Sequence, residues 1–184
     1  MNYSDTHREI VEACKKGEHK AQVKLYGLYS DAMYNTCLRM VKNEYDAQDI
    51  LQSSFTDVFL NISKFKFESS IGAYIKRIVI NNCINFLKKR KLQMVELDQN
   101  VRHISEQVEE KVDLNYSVEV IKKGLQQLSD GYRTVFSLYI FEGYDHKEIG
   151  KILDISEATS KSQLSRAKQK IRKYVYENLI SDQH

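Results

Sequence analysis

The stretch from Tyr144 to Lys173 constrains the fold most, because it reads as two short helices joined by a tight turn. Asp145 stands where a helix N-cap is needed, and Glu148, three residues on, can complete a capping box. Ile149, Ile152 and Leu153 then share one face at helical spacing. Asp154 follows, a residue type that tolerates a left-handed turn. Ser156 can cap the second helix, whose buried side is marked by Leu164, Ala167 and Ile171. Its other side offers Lys161, Ser162, Ser165, Arg166, Lys168, Lys170, Arg172 and Lys173, and no acid occurs from Thr159 to Tyr174. That is the pattern of a helix-turn-helix with a basic second helix suited to DNA. A merely solvated cationic face has the same spacing, so the rest of the chain has to decide.

The chain contains no proline, so nothing interrupts long helices, and it lacks runs of β-branched alternation. This predicts an all-α protein. With 184 residues, 42% of them hydrophobic, there is material for one medium domain or two small ones. The net charge of +3 is too mild to specify a nucleic-acid partner by itself. Cys14, Cys37 and Cys83 are far apart and lack metal-ligand spacing, so they read as small buried apolar residues in a reducing compartment. No apolar run approaches membrane length, which predicts a cytoplasmic protein without membrane insertion.

In chain order, helices are expected over 5–16, ended by Gly17, and over 18–42. The second has an apolar stripe of Val23, Leu25, Tyr26, Tyr29, Met33, Cys37, Leu38 and Met40. Asn43 and Glu44 form a break. A third helix runs from about Asp46 to Phe65, with Leu51, Phe55, Val58, Phe59 and Ile62 inward and Gln48, Gln52, Ser53 and Thr56 outward. A polar loop, Lys66 to Ser70, carries the aromatic Phe67. The fourth helix, Ile71 to about Lys91, turns Tyr74, Ile75, Ile78, Val79, Phe86 and Leu87 inward. Arg77, Asn81, Asn82 and Asn85 form a separate strip. Asparagine is a mediocre helix former, so this clustering asks for a reason, and contacts to nucleic acid would be one. Lys88, Lys89, Arg90 and Lys91 end the helix with charges that can hold phosphates.

Residues 93–116 change character: Glu96, Asp98, Glu106, Glu109, Glu110 and Asp113 face only Arg102 and Lys111. A flexible acidic linker is expected there. Two further helices are expected ahead of the helix-turn-helix, over about 117–129 and 131–142. The first uses Val118, Ile121, Leu125 and Leu128. The second uses Val135, Phe136, Tyr139 and Ile140 and ends at Gly143. The domain reading is therefore 5–92, a linker at 93–116, and 117–178.

Two helical units, each ending in a basic helix, suggest a reader of a composite DNA site. The stretch Asp46 to Phe55 resembles the motif DAEDLVQETF of the extracytoplasmic-function group of sigma-70 transcription initiation factors. Phe65 to Leu87 resembles FRGESSFRTWLYRIARNLALDLL of the same group, and Leu128 to Phe136 resembles LPPRQREVF. Glu142 to Ile149 resembles EGLSYEEI, and the segments Lys151–Ser156 and Thr159–Ser162 resemble EILGIS and TVKS. The order and spacing of these blocks are more specific than any one of them.

The resemblance implies a factor that has no active site or cofactor and confers promoter choice on core RNA polymerase. Gln48, Asp49, Gln52 and Phe55 would dock on the beta-prime coiled coil of the polymerase, with the beta subunit as a second core partner. Phe65, Lys66, Phe67, Glu68 and Ser69, with Asn81 behind them, would hold a flipped base of the minus-ten element of promoter DNA. Arg77 and Asn85 would neighbour that site, and Lys88, Lys89 and Arg90 would hold phosphates. Lys161, Ser162, Ser165, Arg166 and Lys168 would read the minus-thirty-five element. An anti-sigma factor, which the group often has, would clamp the same faces.

This chain departs from the group's pattern at Phe67 (usually glycine), Tyr74 (tryptophan), Lys76 (tyrosine), Gly150 (alanine), Asp154 (glycine) and Ser160 (valine). The alternative is a two-domain regulator that binds duplex DNA without polymerase, which leaves Asp46 to Leu87 unexplained. A metal-dependent nuclease built on Asp46, Asp49 and Asp57 is weaker, because acids at a helix start usually answer the helix dipole.

Overall fold

The computed structural model describes residues 7–95 and 118–181, and all of its regular structure is helical. The chain divides into two compact units, Met1–Arg90 and Lys91–His184. Residues 93–95, expected to begin the linker, continue α4 instead, and the rest of the expected linker lies outside the described residues.

The first unit contains α1 (Arg8–Lys15), α2 (His19–Val41), α3 (Glu44–Asn61), a short 3-10 turn (Ile62–Lys64) and α4 (Ile71–Val95). Gly17, at φ +81°, ends α1 as its position suggests. Asn43 is more than a break: its side chain accepts from the Asp46 N–H at 3.0 Å and caps α3. Ser70 does the same for α4, accepting from the Ala73 N–H at 3.2 Å. The third helix is shorter than expected, because the chain tightens into the 3-10 turn before Phe65. The fourth is longer and passes Lys91 to reach Val95.

Leu25, Met33, Cys37 and Met40 of α2 are buried, whereas Val23 (56% exposed) and Tyr26 (38%) are not. The expected stripe therefore drifted: Val41 and Thr36 join the core in place of residues near the helix start. In α4, Ile75, Val79 and Leu87 are buried as expected, together with Ile80, Cys83 and Ile84. Tyr74, Ile78 and Phe86 sit half-buried at its margin. All three cysteines are buried thiols, and burial together with the Glu18 carboxylate pushes the Cys14 thiol up.

The second unit contains α5 (Val118–Gln127), α6 (Asp130–Ile140), α7 (His146–Leu153) and α8 (Glu157–Ser181). α8 packs on all three others and carries the core through Leu164, Ala167, Ile171 and Val175. Facing it are Leu125, Leu128, Val135, Leu138 and Ile149. Tyr139 and Ile140, expected inside, are 37% and 45% exposed. α6 instead buries Arg133 completely. Its guanidinium donates to the Leu128 carbonyl at 2.8 Å and to Asp130 Oδ1 at 2.7 Å, tying the end of α5 to the start of α6. A buried cation is tolerable only when paired in this way.

Asn82 also binds inward. It donates to Asp57 Oδ2 at 2.8 Å and Ser54 Oγ at 3.1 Å, clasping α4 to α3. Replacing Asn82 with alanine leaves both acceptors short of a donor and should cost about 1–3 kcal/mol of stability. Replacing the exposed Asn81 should leave the melting temperature unchanged. Thermal unfolding of the two variants checks the distinction, and equal losses would contradict it.

Candidate nucleic-acid interface

In the second unit the helix-turn-helix is built by local chemistry. The Glu148 N–H donates to Asp145 Oδ1 at 2.7 Å, and the Asp145 N–H donates to Glu148 Oε2 at 2.9 Å. Both bonds of the expected capping box are therefore present. Asp154 adopts φ +58° and ψ +50°, the left-handed conformation that ends α7. The Ile155 N–H then reaches back to the Gly150 carbonyl at 3.0 Å. A Cβ on Gly150 would lie 2.8 Å from the Ile155 carbonyl oxygen, so the turn depends on glycine there. Ser156 Oγ accepts from the Thr159 N–H at 3.0 Å and starts α8.

α8 buries Ser160, Leu164, Ala167 and Ile171 along one side, which leaves Ser162 and Ser165 exposed and Arg166 half-buried. Lys161 is exposed and pairs with Glu157 at 2.6 Å, which holds the Glu157 carboxyl below the usual carboxylate range. Ser162 Oγ donates to the Thr159 carbonyl at 2.9 Å. Lys168 is exposed but lies toward the α6 flank, with its ammonium 6.0 Å from the Tyr139 ring centroid.

Sequence reasoning missed His146. Its ring stacks on Tyr139 (4.6 Å between centroids, 23° between planes), and its Nδ1 lies 2.9 Å from Ser160 Oγ. The contact joins the starts of α7 and α8 to α6. The available signal was Ser160 itself, a polar residue in register with the buried side of α8, which needs a partner.

In the first unit, Arg77, Asn81 and Asn85 are exposed at intervals of one helical turn along α4, opposite its buried side. Asn82 leaves this strip for the clasp to α3. Lys88 and Lys89 are exposed, whereas Arg90 is half-buried, near Asp46 at 3.9 Å and over the Phe86 ring at 5.7 Å.

The loop between the 3-10 turn and α4 exposes Lys66, Glu68 and Ser69. Phe65 is turned inward, only 6% exposed, with its ring 4.9 Å from Tyr74 and 5.0 Å from Phe67. Phe67, at φ +60°, is half-buried. Arg8 and Lys15 of α1 approach its ring to 4.7 and 4.3 Å. Neither cation was identified from the sequence, because nothing in the pattern of α1 points to a loop so far along the chain.

On α3, Gln48, Asp49 and Gln52 are exposed. Phe55 is not with them: it is 3% exposed and packs against Tyr26 and Phe59 at 4.7 and 6.0 Å. Tyr45 (80% exposed) and Leu60 (72%) extend the outward side of α3. Both are out of phase with its core residues, which was the signal for them. Among the described residues no group of three or more His, Cys, Asp or Glu could hold a metal ion, and no helix is long and apolar enough to cross a membrane.

The pattern of Sigma-70 region 2 matches residues 25–93, and that of Sigma-70, region 4 matches residues 119–171. The chain is 29% identical to the ECF RNA polymerase sigma factor SigW of Bacillus subtilis over 177 residues, covering 90% of this chain and 95% of the relative. It is 26% identical to SigM of the same organism over 161 residues, covering 87% and 98%. In fold it is similar to the sigma factor RpoE of Bartonella quintana, solved with the anti-sigma factor NepR (TM-score 0.56, 20% identity, 83% and 95% covered). It is also similar to CnrH, solved with the cytosolic domain of CnrY (TM-score 0.54, 19% identity, 91% and 96% covered).

Gly150→Ala should lower the stability of the full chain by about 1–3 kcal/mol, because the added carbon meets backbone. Gly27, inside α2 with open space around its Cβ position, is the control. Gly27→Ala should raise stability by about 0.5–1 kcal/mol. Denaturant unfolding reads both signs, and a stabilising Gly150→Ala would remove the turn argument.

Proposed function

This chain belongs to the extracytoplasmic-function group of the sigma-70 family, and on that premise we propose which of its faces meets polymerase and which meets promoter DNA. It is a sigma factor, which directs RNA polymerase to promoters and is not itself an enzyme. Gln48, Asp49 and Gln52 on α3 dock on the beta-prime subunit of core polymerase. Phe55 lies beneath them and fixes the angle of that face rather than touching the partner. Tyr45 and Leu60 widen the surface with apolar area. Contacts with the beta subunit complete the engagement with core.

The loop Phe65 to Ser69 and the α4 strip Arg77, Asn81 and Asn85 receive the minus-ten strand once it is unpaired. The observation that carries this reading is the fate of the three neighbouring asparagines. Asn82 is consumed by the clasp to α3, whereas Asn81 and Asn85 stay exposed in line with Arg77. Their amides offer donors and acceptors to base edges, while Lys88 and Lys89 attract the phosphates that follow. Arg90 is shared with Asp46 and contributes less.

Ser162, Ser165 and Arg166 read the minus-thirty-five element in the major groove, with Lys161 and Lys168 on the flanking phosphates. The Lys161–Glu157 pair is fully exposed, so exchanging its carboxylate for a phosphate costs little. An anti-sigma factor, as NepR is to the similar RpoE in their solved complex, covers these same faces to keep the protein inactive.

Arg166→Ala should weaken minus-thirty-five-dependent transcription by about 1–3 kcal/mol in promoter binding and reduce its salt slope by about one. Run-off transcription and binding titrations at several salt concentrations measure both, and no change in either removes Arg166 from the interface. Asn81→Ala should impair promoter opening more than polymerase binding. Permanganate reactivity of the melted strand and a core-binding titration separate the two. Equal losses would place Asn81 elsewhere.

A further inference from the structure

Phe67 poses a physical problem that the promoter-reading surface does not explain. A bulky aromatic residue at φ +60° is strained and persists only where its surroundings hold it. Here the holding groups are specific. The Phe65 ring lies 5.0 Å away, and the Arg8 guanidinium and Lys15 ammonium lie 4.7 and 4.3 Å from the Phe67 centroid. Two cations gathered at one ring repel each other, and attraction to its π-system offsets that repulsion. Lys15 also keeps Glu12 at 3.5 Å.

The shape of this cluster is chemically that of a base-stacking site. An unstacked nucleobase is held by an aromatic ring against one π-face and by a guanidinium or ammonium group against the other surfaces it presents. Phe65, Arg8 and Lys15 supply those groups, and the ring of Phe67 lies within 5.0 Å of each. We infer that Phe67 is a resident plug in the minus-ten base site, and that an extruded base enters by replacing its ring against Phe65. As the plug leaves, the loop relaxes from its strained backbone. Arg8 and Lys15 then turn to the base and its flanking phosphates. α1 thereby becomes part of the single-strand site, and the closed loop opposes entry of any base that stacks less well than the ring it displaces.

This inference rests on the reading that the Phe65–Ser69 loop meets the minus-ten strand. The test therefore uses the full chain assembled with core RNA polymerase. The probe is a fluorescein-labelled single-stranded oligonucleotide carrying the non-template minus-ten strand of a promoter that the wild-type holoenzyme transcribes. Phe67→Gly removes the plug and favours the same backbone. Phe67→Asn also tolerates φ > 0, and it carries the same comparison should the glycine variant melt early. Fluorescence anisotropy should show both variants binding on the order of tenfold more tightly than wild type, the scale of one base–aromatic stack. The gain should vanish when the base that enters is replaced by an abasic site. Unchanged or weaker binding, or a gain that survives an abasic site at every minus-ten position, overturns the plug. If the transcribing wild-type holoenzyme binds no minus-ten strand at all, the assignment of the loop fails and the plug fails with it.

Discussion

One-sided burial of two helices fixes which of their residues point outward. Ile75, Val79, Cys83 and Leu87 anchor α4, and Leu164, Ala167, Ile171 and Val175 anchor α8. Each set recurs about once per helical turn, so the residues between the anchors have no choice of direction. Arg77, Asn81 and Asn85 fall outside on α4, and Ser162 and Ser165 fall outside on α8, with Arg166 half-buried beside them. The polar contacts refine this arrangement without creating it. The Asn82 clasp and the Arg133 staple set how neighbouring helices meet, and they use side chains that would otherwise be costly to bury.

Much of this was legible in the sequence where chemistry is local. The capping box at Asp145, the left-handed Asp154 and the glycine end of α1 follow from near neighbours in the chain. The buried sides of α4 and α8 follow from periodicity. What failed was long-range. The inward turn of Asn82 depends on Ser54 and Asp57, and the burial of Arg133 on a carbonyl at the end of the preceding helix. The exposure of Tyr139 and Ile140 at the end of α6 depends on how α7 and α8 cover that helix, with His146 stacked on Tyr139. Of the residues read as site residues, Phe55 and Phe65 are buried, because an aromatic ring at a core register goes inward.

Three of the departures from the group's usual pattern fall at points of close contact. Gly150 faces a carbonyl oxygen across the turn, and Ser160 meets His146 where an apolar residue is usual. Phe67 brings a ring, and with it two cations from α1, to the loop ahead of α4. These three departures leave the helices in place and change the contacts made locally around them.

The assignment of faces is tested most directly by cleavage of promoter DNA from chosen points on the protein. The three native cysteines are buried, so a cysteine introduced at Ser165 or Lys89 can be labelled selectively with an iron chelate. Holoenzyme carrying Ser165→Cys should cut near the minus-thirty-five element, and holoenzyme carrying Lys89→Cys should cut near the minus-ten element. Cleavage at one shared region from both positions, or none from a holoenzyme active in run-off transcription, would contradict the account.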